Sequence, residues 1–488
     1  MTKNNIPLSE YPRPQLERKS YLCLNGEWDY AFSSSPEFPN KYDGKILVPF
    51  SPESKLSGVN KTLQPGEYLF YKRVLNLKNF EIKDKVLLHF LAVDQIAEVY
   101  INKKLVGSHI GGFLPFEFDI KSFLISGDNE LVVKVQDFTT KSYHATGKQS
   151  LTPEGIFYPC QSGIYLPVWI ESVSNDYIKN IKITSDVDNS GVIIRVISDA
   201  KEAKLLIENK ELKVKTNEDV FVKINNPKLW SPEEPYLYYF VAETKGDKVT
   251  SYFALRKVSL IDNGGKKVIA LNNKPYLMKG VLDQGYYKDG LLTPTCDQDY
   301  INDIHLTKYL GFNTSRKHIK IESPRWYHYC DLMGLIVWQD FVNACTKFNF
   351  WVNQVPLFVP YKFSDHNYKA FGRENEQGRK ESLKEFKETM EYLYNVPSIC
   401  VWTIFNEGWG QFDSKEIFEE LKEIDKSRLF DHASGWLDQN SGHFYSKHVY
   451  LKKIKAPKSK RMEKRAYIVS ECGAFILDED EGKKNKKG

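Results

Sequence analysis

From Tyr21 to about Val173 the apolar positions come in short runs, at residues 86–90, 97–101, 117–120 and 131–135. Turn formers stand between them: Asn102-Lys103-Lys104, Gly111-Gly112 and Gly127-Asp128-Asn129. No helical period in this stretch outlasts two turns. Short strands split by Gly, Asn and Asp predict an all-β sandwich of the jelly-roll kind. From about Ser174 to Ile261 apolar and polar positions alternate, as in Val192-Ile193-Ile194-Arg195-Val196-Ile197 and again over 236–241. That length suits an immunoglobulin-like β-sandwich, and Trp230-Ser231-Pro232-Glu233-Glu234-Pro235 marks its last turn.

From Lys274 onward the pattern becomes strand, helix, strand, helix. Strands are predicted at 276–281, 312–318, 335–340, 399–406, 429–433, 444–450 and 467–470. Helices are predicted at 297–310, 324–333, 381–394 and 414–426, with a long aromatic excursion over 343–379. Ser323-Pro324 supplies an N-cap and a proline at the first helical position, and Gly334 a stop. Alternation of this kind implies a parallel sheet covered on both faces. Seven strands at this spacing predict a (β/α)8 TIM barrel lacking its last unit. The expected architecture is multidomain: a jelly-roll β-sandwich over 1–173, an immunoglobulin-like sandwich over 174–261 and an incomplete TIM barrel over 262–488. A chain of 488 residues is too long for one core.

Composition narrows the class further. Aromatic residues make up 14% of the chain, which suits sugar-ring faces and large cores alike. The net charge is only +5. The densest basic run, 452–465, holds eight Lys or Arg and one acid, and reads as a solvated loop rather than a nucleic-acid patch. Seven scattered cysteines with no CxxC pair read as reduced thiols. No apolar segment follows the first residues, and the apolar runs are too short for a bilayer. The expectation is a soluble cytoplasmic protein without nucleic-acid or membrane partners; a homo-oligomer is compatible with the sequence.

The chemistry lies at two strand ends. Val401-Trp402-Thr403-Ile404-Phe405-Asn406-Glu407-Gly408-Trp409-Gly410 is a hydrophobic strand that runs into Asn-Glu and then glycines. Ala466-Tyr467-Ile468-Val469-Ser470-Glu471-Cys472-Gly473 repeats the arrangement. In a barrel, residues at the C-terminal strand ends line the active site. The two glutamates are 471 − 407 = 64 residues apart with two strands between them. As ends of strands four and seven they point into one mouth, where paired carboxylates cleave a glycosidic bond. The alternative is two surface residues that happen to follow strands.

These motifs resemble glycoside hydrolase family 2, the β-galactosidases, β-glucuronidases and β-mannosidases, over nearly the whole chain. Tyr11-Pro12-Arg13-Pro14-Gln15-Leu16, Leu24-Asn25-Gly26-Glu27-Trp28, Val48-Pro49-Phe50, Val99-Tyr100-Ile101-Asn102 and Gln161-Ser162-Gly163-Ile164 resemble the family's sugar-binding jelly roll. Phe253-Ala254-Leu255-Arg256-Lys257 resembles its junction into the barrel. Asn406-Glu407 matches the family's acid/base motif and Ser470-Glu471 its nucleophile motif.

The resemblance implies a retaining β-glycosidase acting on carbohydrate, with Glu407 as acid/base and Glu471 as nucleophile. It implies β-galactosides first, with glucuronides and other β-glycosides beside them. Asn406 would bond the hydroxyl beside the anomeric carbon. Tyr450 resembles the tyrosine that holds the nucleophile, unless it is a packed strand aromatic. Arg316 and His318 resemble the sugar-site Arg and His, and a structural role is the alternative for both. Asp340 would touch substrate or cap a helix, and His448 would reach a sugar hydroxyl or serve structure. No metal-ligand cluster stands out, and no cofactor is expected. The family continues past its nucleophile into an eighth strand whose tryptophan floors the sugar site. Here seventeen residues follow Glu471, and Cys472-Gly473-Ala474-Phe475 departs from the usual Phe-Gly-Gly-Tyr. The competing expectation is an inactive, truncated relative with a carbohydrate-binding sandwich.

Overall fold

The computed structural model describes residues 6–344, 347–359, 361–450, 453–455 and 462–473. The charged stretch 478–487 lies outside them. The chain folds as three units in sequence order. In the first, a six-stranded sheet runs in the order Gly44–Val48, Gly26–Ser33, Tyr68–Leu75, Asn129–Gln136, Ile96–Ile101, Lys104–Ile110. A four-stranded sheet of Leu22–Cys23, Val168–Val173, Lys85–Phe90 and Phe116–Asp119 faces it. Alternate residues of both sheets, among them Trp28, Tyr71, Leu88, Val99, Val133 and Ile170, form one buried core.

The second unit packs a three-stranded sheet (Ile178–Asp186, Gly191–Ser198, Val220–Lys223) on a four-stranded one containing Glu202–Ile207 and Tyr238–Glu243. A hairpin of Val258–Asp262 and Lys267–Leu271 follows, lying on both sides of the boundary expected at 261. Val258 and Leu271 join Ile336, Trp338, Val401, Leu429, Phe444 and Ile468 in one cluster, so the hairpin packs against the barrel strands.

The barrel strands are β1 (Gly280–Asp283), β2 (Thr314–Lys317), β3 (Ile336–Asp340), β4 (Ile399–Asn406), β5 (Leu429–Ser434), β6 (Phe444–Val449) and β7 (Ala466–Cys472). β1 to β5 pair in parallel in that order, and β6 pairs in parallel with β7. All eight residues of β4 are buried, which is why its sequence is nearly continuous apolar rather than alternating.

The helix Pro324–Met333 begins and ends where its sequence says: Ser323 Oγ accepts from the Arg325 N–H, and the Gly334 N–H returns to the Cys330 carbonyl at φ +74°. The helix expected from residue 381 starts earlier, at Glu376. Its first turn carries no apolar side chain to give a period; the Asn375 side chain starts it by accepting from the Gly378 N–H at 2.8 Å. β1 starts four residues later than expected, because Lys274–Pro275 pairs with the hairpin instead. Among the described residues no helix is long and apolar enough to cross a membrane.

Candidate active site

Glu407 follows the last residue of β4 with φ +53°, an uncommon conformation for a residue with a Cβ. Its N–H donates to the Ser434 carbonyl (2.9 Å), and its own carbonyl accepts from Asn353 Nδ2 (3.3 Å) in the aromatic excursion. The backbone is thereby turned off the strand, and the side chain stays partly open to solvent. Glu471, near the end of β7, stands opposite. One carboxylate oxygen of each glutamate and a ring nitrogen of His448 lie within 4.8 Å of one another. The sequence reading claims no metal; these three groups offer ligand-type atoms at one point, all already engaged with protein partners.

Tyr450 and His448 both bridge the two acids. The Tyr450 hydroxyl makes a short hydrogen bond to Glu471 Oε2 and lies 3.0 Å from Glu407 Oε1. A phenol has one proton and cannot donate to both carboxylates at once. His448 Nδ1 lies 2.6 Å from Glu407 Oε1, and its Nε2 lies 3.0 Å from Ser434 Oγ. A Cβ on Gly435 would stand 2.9 Å from His448 Nδ1, so the glycine makes room for this ring.

Beneath the acids lies a buried charge network. Arg316 Nη1 donates to Glu471 Oε1 (2.9 Å) and Nη2 to Asn406 Oδ1 (2.9 Å). Nε and Nη2 also hold Asp340, at 3.0 and 2.9 Å. Asp340 Oδ2 is 2.7 Å from His318 Nδ1. Among the described residues Asp340 holds Arg316 and His318 and makes no helix-capping contact. Asn406 gives its oxygen to Arg316, and among the described residues its amide N–H groups have no hydrogen-bond partner.

Burial alone would raise the Glu471 carboxyl, but His448, Arg316, His318 and the Tyr450 hydroxyl outweigh it and hold the group down at about 2. Burial and the two glutamates drive the Tyr450 phenol far above its ordinary value, so it stays a donor. Burial lowers His318 despite the Asp340 contact.

The sequence reading therefore brings Glu407, Glu471, Asn406, Tyr450, Arg316, His318, Asp340 and His448 to one place. It misses Ser434, which orders His448, and Lys148, which reaches the mouth from the first sandwich. Ser434 ends β5 and was open to the strand-end argument. Lys148 sits in a turn-rich stretch with no periodicity.

Three family models match successive parts of the chain: glycosyl hydrolases family 2, sugar binding domain, over residues 58–168; glycosyl hydrolases family 2 over 172–256; and glycosyl hydrolases family 2, TIM barrel domain, over 264–486. The chain belongs to glycosyl hydrolases family 2. It is 26% identical over 390 residues to a β-galactosidase of Thermoanaerobacter pseudethanolicus, covering 72% of this chain and 47% of that protein. A β-galactosidase of Halalkalibacterium halodurans is 24% identical over 475 residues, covering 83% and 43%. The chain spans less than half the length of these relatives. Among solved structures it is similar to a β-galacturonidase from Eisenbergiella tayi bound to galacturonate, with a TM-score of 0.72 at 19% identity, covering 96% of this chain and 85% of that one. A β-D-glucuronidase from Dictyoglomus thermophilum matches at 0.72 and 20%, covering 97% and 86%. At these identities the two structures bear on the fold.

Proposed function

We propose that the chain is a retaining β-glycosidase that removes terminal β-linked sugars by double displacement. The observation that supports this reading is that the two acids meet at one mouth: one oxygen of Glu407 lies within 4.8 Å of one of Glu471, and the Tyr450 hydroxyl touches both carboxylates. Retaining enzymes hold their two carboxyl groups about 5–5.5 Å apart, whereas inverting enzymes leave about 6.5–9.5 Å for a water. Glu471, kept ionised by Arg316 and Tyr450, attacks the anomeric carbon. Glu407 protonates the departing oxygen and then takes a proton from the water that releases the sugar. The free amide N–H groups of Asn406 bond the neighbouring sugar hydroxyl. Terminal β-galactosides are the neutral substrate class of this reading, in keeping with the β-galactosidases among its relatives.

Proton NMR of the first sugar released from a panel of nitrophenyl β-glycosides tests the stereochemistry. The β-anomer is expected first; the α-anomer would exclude double displacement.

A further inference from the structure

The N-terminal segment, both sandwiches and the barrel meet around a cavity of about 310 Å³. Arg13 enters it from the N-terminal segment, and His89 and Trp169 from the four-stranded sheet of the first sandwich. Asn180 comes from the second sandwich, and Tyr327 and Val396 from the barrel. Val396 precedes β4 while Glu407 follows it, and none of the catalytic residues lines this cavity. Pockets for small molecules start near about 300 Å³ and favour such junctions between domains.

Two polar atoms around the cavity are buried with no hydrogen-bond partner among the described residues: Arg13 Nε and His89 Nε2. His89 is only 3% exposed, and its ring lies flat on Trp169, with centroids 4.7 Å apart and planes 7° apart. The Arg13 guanidinium stands 5.6 Å from the same indole. His89 Nδ1 is 2.9 Å from Glu117 Oε2, and a carboxylate only accepts. Nδ1 therefore carries the proton, and Nε2 of the neutral ring offers a lone pair. Glu171 Oε2, at 3.7 Å, is beyond hydrogen-bond reach of Nε2. One donor, Arg13 Nε–H, and one acceptor, His89 Nε2, thus stand unused about a shared indole.

The charges at the junction are already paired. Arg13 Nη2 is 2.6 Å from Glu171 Oε1, and Lys179 on the rim is 2.6 Å from Asp199. An anion would find no spare cation. A hexose brings more hydroxyls than the two unused atoms can satisfy, and burying a hydroxyl unpaired is costly. A phenol uses both atoms at once: its O–H donates to His89 Nε2 and its oxygen accepts from Arg13 Nε–H. Its ring packs against aromatic walls such as Phe116 and Tyr327.

We propose that this junction is a binding site for a small neutral phenol of one or two rings. The hydroxyl bridges Arg13 and His89, and the ring ties the N-terminal segment, both sandwiches and the barrel together.

Calorimetry on the full chain compares 2-naphthol with its methyl ether, 2-methoxynaphthalene, and with galactose. The naphthol should bind about tenfold more tightly than the ether, which cannot donate to His89. Galactose should not displace it. His89→Phe keeps a ring on Trp169 without the acceptor and should bind the two naphthalenes alike. Asn180 is exposed on the rim, so Asn180→Trp should fold normally, block the cavity and abolish naphthol binding. Saturating naphthol should also raise the Tm of the wild type and leave that of Asn180→Trp unmoved. The ligand pair and the rim variant decide the question even where His89→Phe does not fold. The proposal is overturned by no naphthol binding up to its solubility limit, or by equal affinity for naphthol and ether. Displacement by galactose, or undiminished binding in Asn180→Trp, would place the phenol at the catalytic mouth and overturn it as well.

Discussion

Glu407 is held by its backbone as much as by its side chain, since φ +53° aims the carboxyl into the mouth from the end of β4. Glu407→Ala should slow glycosides with poor leaving groups strongly while sparing activated aryl glycosides, which need little protonation. Added azide should restore the second step, giving a glycosyl azide detectable by mass spectrometry. Equal losses on both substrate types without rescue would remove Glu407 from the acid role. Both glutamates are legible in the sequence, because strand, acid and glycine recur at two strand ends. The ties among Arg316, Asp340 and His318 are not, because they depend on which faces of β2 and β3 meet. Lys148 is hidden for a stronger reason: nothing near residue 148 foretells that a loop of one domain packs on the mouth of another. The Tyr450 hydroxyl is one of the groups keeping Glu471 at about 2. A depressed carboxyl stays ionised down to its lowered value. Tyr450→Phe should therefore move the acid limb of the kcat/KM profile upward, toward the ordinary carboxylate range. Loss of a hydrogen bond to a charged group costs about 1.5–3 kcal/mol, roughly 10- to 100-fold in rate. A profile unchanged in position between pH 3 and 7 would contradict the assignment.

The elements read most clearly are those with their own punctuation. Ser323-Pro324 and Gly334 define one helix from local chemistry alone, and the eight apolar or small residues of β4 define a central strand. Two starts read less clearly, at Glu376 and Gly280, because the first depends on a single Asn cap and the second on competition from a hairpin. The helix Pro324–Met333 also carries a pH dependence into the fold. Asp331 is fully buried, accepting from the Ser398 N–H (2.9 Å) and the Tyr252 hydroxyl (2.8 Å), and burial raises its carboxyl to about 7. In the unfolded chain the same group titrates near about 3.9. Its stabilising contribution is thus fully present below that value and is lost as pH rises through 7, at up to about 1.4 kcal/mol per pH unit. Asp331→Asn removes the charge while its Oδ1 still accepts from the Ser398 N–H and its amide N–H donates to the Tyr252 hydroxyl oxygen, as the protonated acid does. The Tm of the variant minus that of the wild type should grow between pH 5 and 8, as read by calorimetry. A difference constant across that range would show Asp331 to be ionised in the fold.

Across the whole molecule, a few long polar side chains lock the three units together. Gln15 Nε2 donates to the Tyr252 carbonyl of the second sandwich and to Asn395 of the barrel. Arg18 joins Glu171 of the first sandwich to Asp247 of the second. Arg256, in the junction motif, donates to the carbonyls of Pro397, Ser427 and Ile399 at the barrel. The order of domains is legible because the hydrophobic period changes twice along the chain. Their docking is not, because it rests on buried Arg–carbonyl and Arg–carboxylate contacts between residues far apart in sequence. That docking carries Lys148 to the same mouth as the two acids. Whether those acids perform double displacement is tested most directly by trapping. A 2-fluoro glycoside with a good leaving group should form a stable glycosyl-enzyme, and mass spectrometry of the digested protein should place the sugar on Glu471. A label on Glu407, or turnover of the ordinary glycoside with no adduct at all, would contradict the account.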